Sequence, residues 1–268
     1  MLSDITLGQY YPADSCIHKM DARIKILLSV AFMVVIFCIG SVYGYATLFT
    51  FTVFAVAMSK IPFKFMLKSI KPLMFFVVFT AILNILFTRS GEVLWHYGFL
   101  TVTRDGVLNA VYMIIRIVFL IMGTSLLTYT TSPIELTDGI ERLLRPFSKI
   151  GLPSHELAMM MSIALRFIPT IMEETDKIKK AQTARGADFE SGNVLKRAKA
   201  LIPLLIPLFI SAFRRADELA MAMECRCYHG GKNRTKMNEP HMGIRDFWAV
   251  FVFAIFVAII VLTNILGV

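Results

Sequence analysis

The chain has 268 residues, and 56% of them are hydrophobic, a share that excludes an ordinary soluble domain, in which about 45 to 50% is usual, and indicates a membrane protein. The formal net charge of +9 would suggest nucleic acid as a partner of a soluble protein. Here lysines and arginines cluster beside apolar segments, where they set topology and contact anionic lipid, so we predict a lipid bilayer and no nucleic acid as partner.

Five apolar segments are predicted to be membrane-spanning helices. The hydrocarbon core of a bilayer is about 30 Å thick and a helix rises about 1.5 Å per residue, so a span needs about 20 apolar residues. The predicted spans are residues Ile24–Ile39, Tyr43–Met58, Leu73–Thr88, Val107–Thr130 and Phe247–Leu266. Arg116 lies inside the fourth span, where a charge is costly. Either a functional role is expected, or snorkelling or pairing with a polar group such as Asn84.

Basic residues next to the spans predict the orientation. The uncharged turn at Gly40 to Gly44 joins the first two spans, whereas positive charge precedes the first span, separates the second from the third, and precedes the fifth. These basic residues are Lys19, Arg23, Lys25, Lys60, Lys64, Lys68, Lys71 and Arg245. Because positively charged ends face the cytoplasm, the amino terminus is predicted to be cytoplasmic.

Most of the charged residues lie between positions 133 and 245, which predicts a cytoplasmic amphipathic region. Ser132-Pro133 followed by Glu135 is typical of a helix start, and this shorter helix is predicted to end near Lys149. Two longer helices, of about 30 residues and about 45 Å each, are predicted from Ser154 to about Arg185 and from about Val194 to Cys227.

The predicted fold class is therefore an all-α integral membrane protein. It has about five transmembrane helices and a cytoplasmic coupling domain of two long and one shorter amphipathic helices. The predicted domains are residues 1–131 with four spans, residues 132–243 as the cytoplasmic domain, and residues 244–268 as the last span.

Two arginine tripeptides end the two long helices. They are Ala184-Arg185-Gly186 and Cys225-Arg226-Cys227. Arginine offers a planar fork of hydrogen-bond donors and stays charged when partly desolvated, so each helix end could offer one guanidinium to a matching cleft. The alternative is that each arginine only interacts favourably with the dipole at its helix carboxyl end. Spacing alone does not decide between the two.

Other function classes find weaker support in the residues. An intramembrane enzyme of the metalloprotease kind could use His155-Glu156 and Glu173-Glu174, but the first pair lacks a second histidine at the spacing of a zinc motif. A stand-alone secondary carrier would have internal repeats, and none is found. The glycines at Gly230-Gly231-Lys232 lack the rest of a phosphate-binding loop. No catalytic residue, metal ligand or cofactor site is therefore predicted.

The chain resembles the transmembrane T component of energy-coupling factor transporters, ATP-driven importers of vitamins and some metal ions in bacteria and archaea. The resemblance covers nearly the whole chain. Besides the spans and long helices, it rests on the two arginine motifs and on an amino-terminal segment with Tyr11-Pro12-Ala13-Asp14-Ser15, His18, Asp21, Arg23 and Lys25. The first motif matches the Ala-Arg-Gly pattern of the family in full. In the second, Cys225 and Cys227 replace alanine and glycine, which puts the packing of that helix end in doubt.

The resemblance implies a non-catalytic subunit of the bacterial plasma membrane. In this family each motif arginine docks in a groove of one subunit of an ATPase dimer. The implied partners are two ATP-binding subunits of the energy-coupling factor and a separate substrate-binding membrane subunit that takes up the vitamin. The long helices would transmit the movement of the ATPases to that subunit.

Overall fold

The structure is a computed structural model that describes residues 10–88, 90, 92–97, 100–151, 153–189, 193–230 and 242–266. The helices in these residues are α1 Ala22–Cys38, α2 Val42–Ser59, α3 Phe63–Ile70, α4 Met74–Phe87, α5 Arg104–Thr130, α6 Pro133–Leu144, α7 Ser154–Ala184, α8 Val194–Cys225 and α9 Ile244–Ile265. Short 3-10 segments occupy Lys71–Leu73 and Arg145–Ile150. Strands β1, Val93–Tyr97, and β2, Leu100–Thr103, form one antiparallel hairpin. The predicted all-α class is confirmed.

The chain divides into two compact units. The membrane unit lies within Gly8–Gly139 and Pro240–Val268, and the helix-pair unit lies within Ile140–Glu239. The first contains α1 to α5 and α9, and the second contains α7 and α8. Sequence reasoning placed the end of α6 near Lys149, but the α-helix ends at Leu144. Pro146 follows at once, and the chain continues as a 3-10 segment because proline has no N–H to extend the α-helical bonding.

Four helical segments of the described chain are long and apolar enough to cross a membrane. They are Val42–Ser59, Phe63–Phe87, Arg104–Thr130 and Ile244–Ile265. Helix α1, the first predicted span, has 17 residues and falls just short of that length, so its crossing stays a prediction. The third span begins ten residues earlier than predicted, because α3 continues through a 3-10 turn into α4. Lys64, Lys68 and Lys71 therefore lie on this segment and not in a loop before it.

Helix α5 is the axis of the membrane unit, with α1 and the α3–α4 segment antiparallel to it. The Ser69 hydroxyl lies 2.8 Å from the Tyr129 hydroxyl near one end of α5, and the Asn84 amide donates to the Met113 sulfur nearer the other end. An apolar core with Ile36, Leu48 and Phe256 packs α1, α2, α5 and α9 against one another. These contacts hold apolar helices side by side, although much of their outer surface remains exposed.

Arg116 caps the end of α1. Its guanidinium donates to the Ile39 carbonyl and the Tyr45 hydroxyl, each at 3.3 Å, and lies over the Phe37 ring. Arg116 thus pairs with polar groups, as one of the two interpretations expected, but not with Asn84, whose amide donates to Met113 and the Thr80 carbonyl. Helix α1 is only about 26 Å long, shorter than the hydrocarbon core, so its last carbonyls need partners inside the protein. The need to hydrogen bond these carbonyls explains why an arginine, Arg116, lies in this apolar span.

Asn264 of α9 completes the same cap. Its amide donates to the Cys38 carbonyl at 2.7 Å and its side-chain oxygen accepts from the Gly40 N–H at 3.3 Å. The turn between α1 and α2 thus receives hydrogen bonds from two other helices. The carbonyl of Cys38 and the N–H of Gly40 therefore have hydrogen-bond partners within the protein.

Lys25 joins the amino-terminal segment to α5 at the end of the membrane unit that lies away from the α1–α2 turn. Its ammonium is buried and donates to the carbonyls of His18, at 2.9 Å, and Thr130, at 3.0 Å. The same amino-terminal segment binds α5 through the Tyr11 N–H and the Tyr129 carbonyl, and α9 through the Asp21 N–H and the Asp246 carboxylate. The segment that carries part of the family resemblance therefore joins three helices.

Candidate functional site

The first arginine motif ends α7 in a turn that requires a left-handed residue. The Gly186 N–H donates to the Thr183 carbonyl, and the Ala187 N–H donates to the Gln182 carbonyl. These two bonds are the Schellman pattern, in which the residue after the cap has positive φ. Gly186 has a φ of 88°, and no atom lies within 4 Å of the place where a Cβ would stand. Glycine is therefore favoured by the backbone conformation and not by crowding.

The second motif ends α8 in the same turn. The Cys227 N–H donates to the Glu224 carbonyl, and the Tyr228 N–H donates to the Met223 carbonyl. Cys227 occupies the position of Gly186 and has a φ of 54°. Replacement of glycine by cysteine at this position therefore leaves the backbone turn unchanged. Both arginines precede a left-handed residue at the same place in the same hydrogen-bonded turn.

Cys227 in the left-handed region stores backbone strain, because its Cβ crowds the following carbonyl at a cost of roughly 1 to 2 kcal/mol. We expect Cys227→Gly to raise the free energy of unfolding by about 0.5 to 1 kcal/mol after the greater chain entropy of glycine is subtracted. Gly186→Ala is expected to lower it by about 1 kcal/mol. Thermal unfolding of the purified protein measures both changes.

The matched control is Cys227→Ala, which removes the thiol and keeps the Cβ. It should unfold at the temperature of the parent protein. Equal stabilisation by alanine and glycine would show that loss of the thiol, and not relief of positive φ, is responsible.

Both motif arginines are exposed. Within the part of the chain that the structure describes, neither Arg185 nor Arg226 makes a side-chain hydrogen bond or an ion pair. Their neighbours are small and also exposed, namely Ala184, Gly186, Cys225 and Cys227. None of the five guanidinium donors of either arginine is used within the described chain, so they are available to a partner protein. The small flanking side chains let the backbone of that partner approach closely.

Helices α7 and α8 are antiparallel, so the two arginines lie at opposite ends of the pair. The Gln182 amide donates to the Pro203 carbonyl, and eight residues back along α7 the Glu174 carboxylate contacts Ser211. In this register Arg185 lies beside the start of α8, about 26 residues before Arg226. At about 1.5 Å per residue, the two guanidinium-bearing ends are separated by roughly 39 Å along the pair. Such a spacing suits two separate clefts rather than one.

A polar clamp joins α7 to α8 between the two ends. Arg215 donates to Glu174 Oε2 at 2.9 Å, and the Ser211 hydroxyl donates to Glu174 Oε1. The hydrogen bond from Ser211, and then the one from Arg215, lowers the pKa of Glu174 below its ordinary value. The carboxylate is therefore ionised at neutral pH and fixes the register of the pair. The sequence showed these three polar residues but not that they meet.

The residues proposed for a metalloprotease do not assemble into a metal site. The His155 imidazole is 3.0 Å from Glu141, and Glu174 is held by Ser211 and Arg215. Among the described residues, no three histidine, cysteine or acidic side chains group as metal ligands. Gly230 is described, whereas Gly231 and Lys232 lie outside the described residues.

Comparison with known proteins identifies the family. The sequence profile of CbiQ, described as Cobalt transport protein, matches residues 13–237. Proteins named energy-coupling factor transporter transmembrane protein EcfT are similar over most of the chain. The one from Clostridium kluyveri is 57% identical over 99% of this chain and 98% of its own length, and the one from Acidaminococcus fermentans is 58% identical over 92% and 91%.

The chain belongs to the family of energy-coupling factor transporter T components. The Bacillus subtilis member is 49% identical over 89% of this chain and 90% of its own length. The predicted family is thereby confirmed, as is the prediction of a non-catalytic transmembrane subunit of a transporter. With its four apolar helices, this family member is a multi-pass membrane protein.

Proposed function

We propose that this T component is the coupling subunit of an ATP-driven vitamin importer. Arg185 and Arg226 each dock in a groove of one of two ATP-binding subunits. ATP binding and hydrolysis change the separation of the two grooves, and α7 and α8 transmit that movement to a substrate-binding membrane subunit. In this proposal Ala184, Gly186, Cys225 and Cys227 let the two helix ends approach the ATPase backbone closely.

The observation that carries the proposal is the equivalence of the two helix ends. Two exposed arginines occupy the same place in the same kind of turn, at opposite ends of one helix pair whose register is fixed by Glu174. A helix-dipole role explains a basic residue at each end. It does not require the same turn at both ends with the arginine free of internal contacts.

An exposed apolar stripe on α8 supports the proposed membrane partner. The side chains of Ile206, Phe209, Ile210 and Phe213 are 56 to 68% exposed and recur at intervals of three and four residues. An apolar stripe of this period packs into a groove between apolar helices of a partner. The substrate-binding subunit is the partner that we assign to it.

The orientation belongs to the same proposal. The amino terminus and residues 132–243 are assigned to the cytoplasm, where ATP is present. Residues 1–131 and 244–268 are assigned as the membrane domain and the last span in the bacterial plasma membrane.

Reconstitution tests the assignment. The chain is co-expressed with the two ATPases and one vitamin-binding membrane protein of its own organism, purified through a tag on the chain, and placed in vesicles. We expect all four proteins to co-purify and to take up vitamin only with ATP. The matched control carries ATPases that bind but do not hydrolyse ATP. Vitamin uptake by the chain alone, or by the control complex, would contradict the proposal.

A further inference from the structure

The membrane unit contains an apolar cavity among α1, α2, α5 and α9. Its volume is about 390 Å³, and its lining includes Leu28, Phe32, Leu127, Val252 and Phe253. Cavities of about 300 to 1,000 Å³ with mostly apolar walls are typical ligand sites. None of the residues that we assign to the ATPase contact lines it.

The cavity is about as deep as the hydrocarbon of one leaflet. Each of the four helices lines it over eight or nine residues, which corresponds to roughly 10 to 12 Å. The hydrocarbon core is about 30 Å thick, so one leaflet contributes about 15 Å. The lining stretches run from Lys25 to Phe32, from Met58 to Phe51, from Thr130 to Met122, and from Arg245 to Phe253.

Positive charge stands at one end of the cavity. The charged residues among its described lining are Lys25 and Arg245, and both are basic. The Lys25 ammonium is already hydrogen bonded to two carbonyls. Arg245 is exposed and has no hydrogen bond or ion pair within the described chain. Beside it lies Trp248, an aromatic residue of the kind that concentrates at the level of lipid headgroups.

We propose that the cavity holds one acyl chain of an anionic phospholipid, with the headgroup phosphate bound by Arg245. An apolar lining about as deep as one leaflet, with basic residues at one end, matches an acyl chain and its headgroup better than it matches a partner helix. The basic end selects an anionic headgroup, because the lining offers it a free guanidinium and no carboxylate.

Photocrosslinking of the full chain in vesicles tests this site. Vesicles of phosphatidylcholine carry a trace of phosphatidylglycerol with a photoreactive acyl chain, and adducts are mapped by mass spectrometry. In the unaltered protein we expect adducts on the lining stretches of α1, α2 and α9. Ala249→Phe, which fills the cavity, should reduce labelling at least fivefold, and Ala55→Phe should do the same from α2. The matched control Ala57→Phe, an exposed position on α2 outside the lining, should label like the parent.

The headgroup contact has its own comparison. Arg245→Gln should reduce labelling by the phosphatidylglycerol probe about fivefold and labelling by a phosphatidylcholine probe less, because the choline ammonium offsets the phosphate charge. The control Lys64→Gln removes an exposed cation that does not line the cavity, and it should not change labelling by either probe.

Three results would overturn the proposal. The first is adducts spread evenly over the apolar surface, and the second is equal labelling by the two probes in the parent protein. The third is loss of the adducts when the complete transporter is assembled, which would show that a protein partner covers this face.

Discussion

Replacement of both Arg185 and Arg226 by alanine is expected to reduce ATP-driven vitamin uptake to the background of vesicles without ATP. A charged hydrogen bond contributes about 1.5 to 3 kcal/mol, so loss of one guanidinium should weaken that ATPase contact by tenfold or more. Each single alanine variant keeps one helix end attached and should retain partial uptake. The double variant has neither contact, so movement of the ATPases cannot reach the bilayer. Initial rates of labelled vitamin uptake in reconstituted vesicles measure the effect.

The matched control removes the same charge from exposed positions that are not helix ends. Arg166 is exposed within α7, and Arg214, within α8, makes among the described residues only a long contact, 4.0 Å, with Glu218. The Arg166→Ala and Arg214→Ala double variant should take up vitamin at the parent rate.

Loss of the two motif arginines should leave the fold intact, because neither side chain has a partner within the described chain. The double variant should therefore appear in the membrane fraction in normal amount and unfold at the parent temperature. Uptake within about twofold of the parent would refute the docking role of these arginines. Equal loss in the control would point to net charge instead.

Lys25→Met is expected to destabilise the membrane unit by about 1.5 to 3 kcal/mol, the usual contribution of hydrogen bonds from a charged group. Methionine has a similar length but cannot donate, so the buried carbonyls of His18 and Thr130 would lose their hydrogen bonds. The carboxylates of Asp21 and Asp246, both buried, would also lose a nearby cation. The measurement is the thermal unfolding of the purified protein in detergent.

The matched control for Lys25 is Lys19→Met. Lys19 is also in the amino-terminal segment, but its side chain is 54% exposed and, among the described residues, pairs only with the exposed Asp14. Water screens such an exposed pair, so this variant should unfold at the temperature of the parent. If Lys25→Met unfolded at the same temperature as Lys19→Met, the buried ammonium would not be what joins the amino-terminal segment to α5.

Local sequence signals predicted most of the helix ends. The Ser132 hydroxyl and the Glu135 carboxylate exchange hydrogen bonds with each other's backbone N–H, as their spacing indicated. The predicted ends of α7 and α8 differ from the observed ones by two residues at most. The start of the third span was wrong by ten residues, because the lysines of α3 interrupt the apolar run without interrupting the helix. Hydropathy measures burial in lipid, whereas helix continuity depends on backbone bonding.

By itself, the sequence determined the membrane class, the two long helices and the arginine at the end of each, since all three follow from composition and from residues close together in the chain. Only the tertiary structure decided what joins distant residues. It brought Arg116 to the end of α1, Lys25 to the end of α5 and Glu174 to Arg215. It also showed that Cys227 adopts the left-handed conformation that glycine usually adopts at a helix end. Periodicity shows which face of a helix is apolar but not which partner that face meets, because register and pairing depend on the packing of the whole chain.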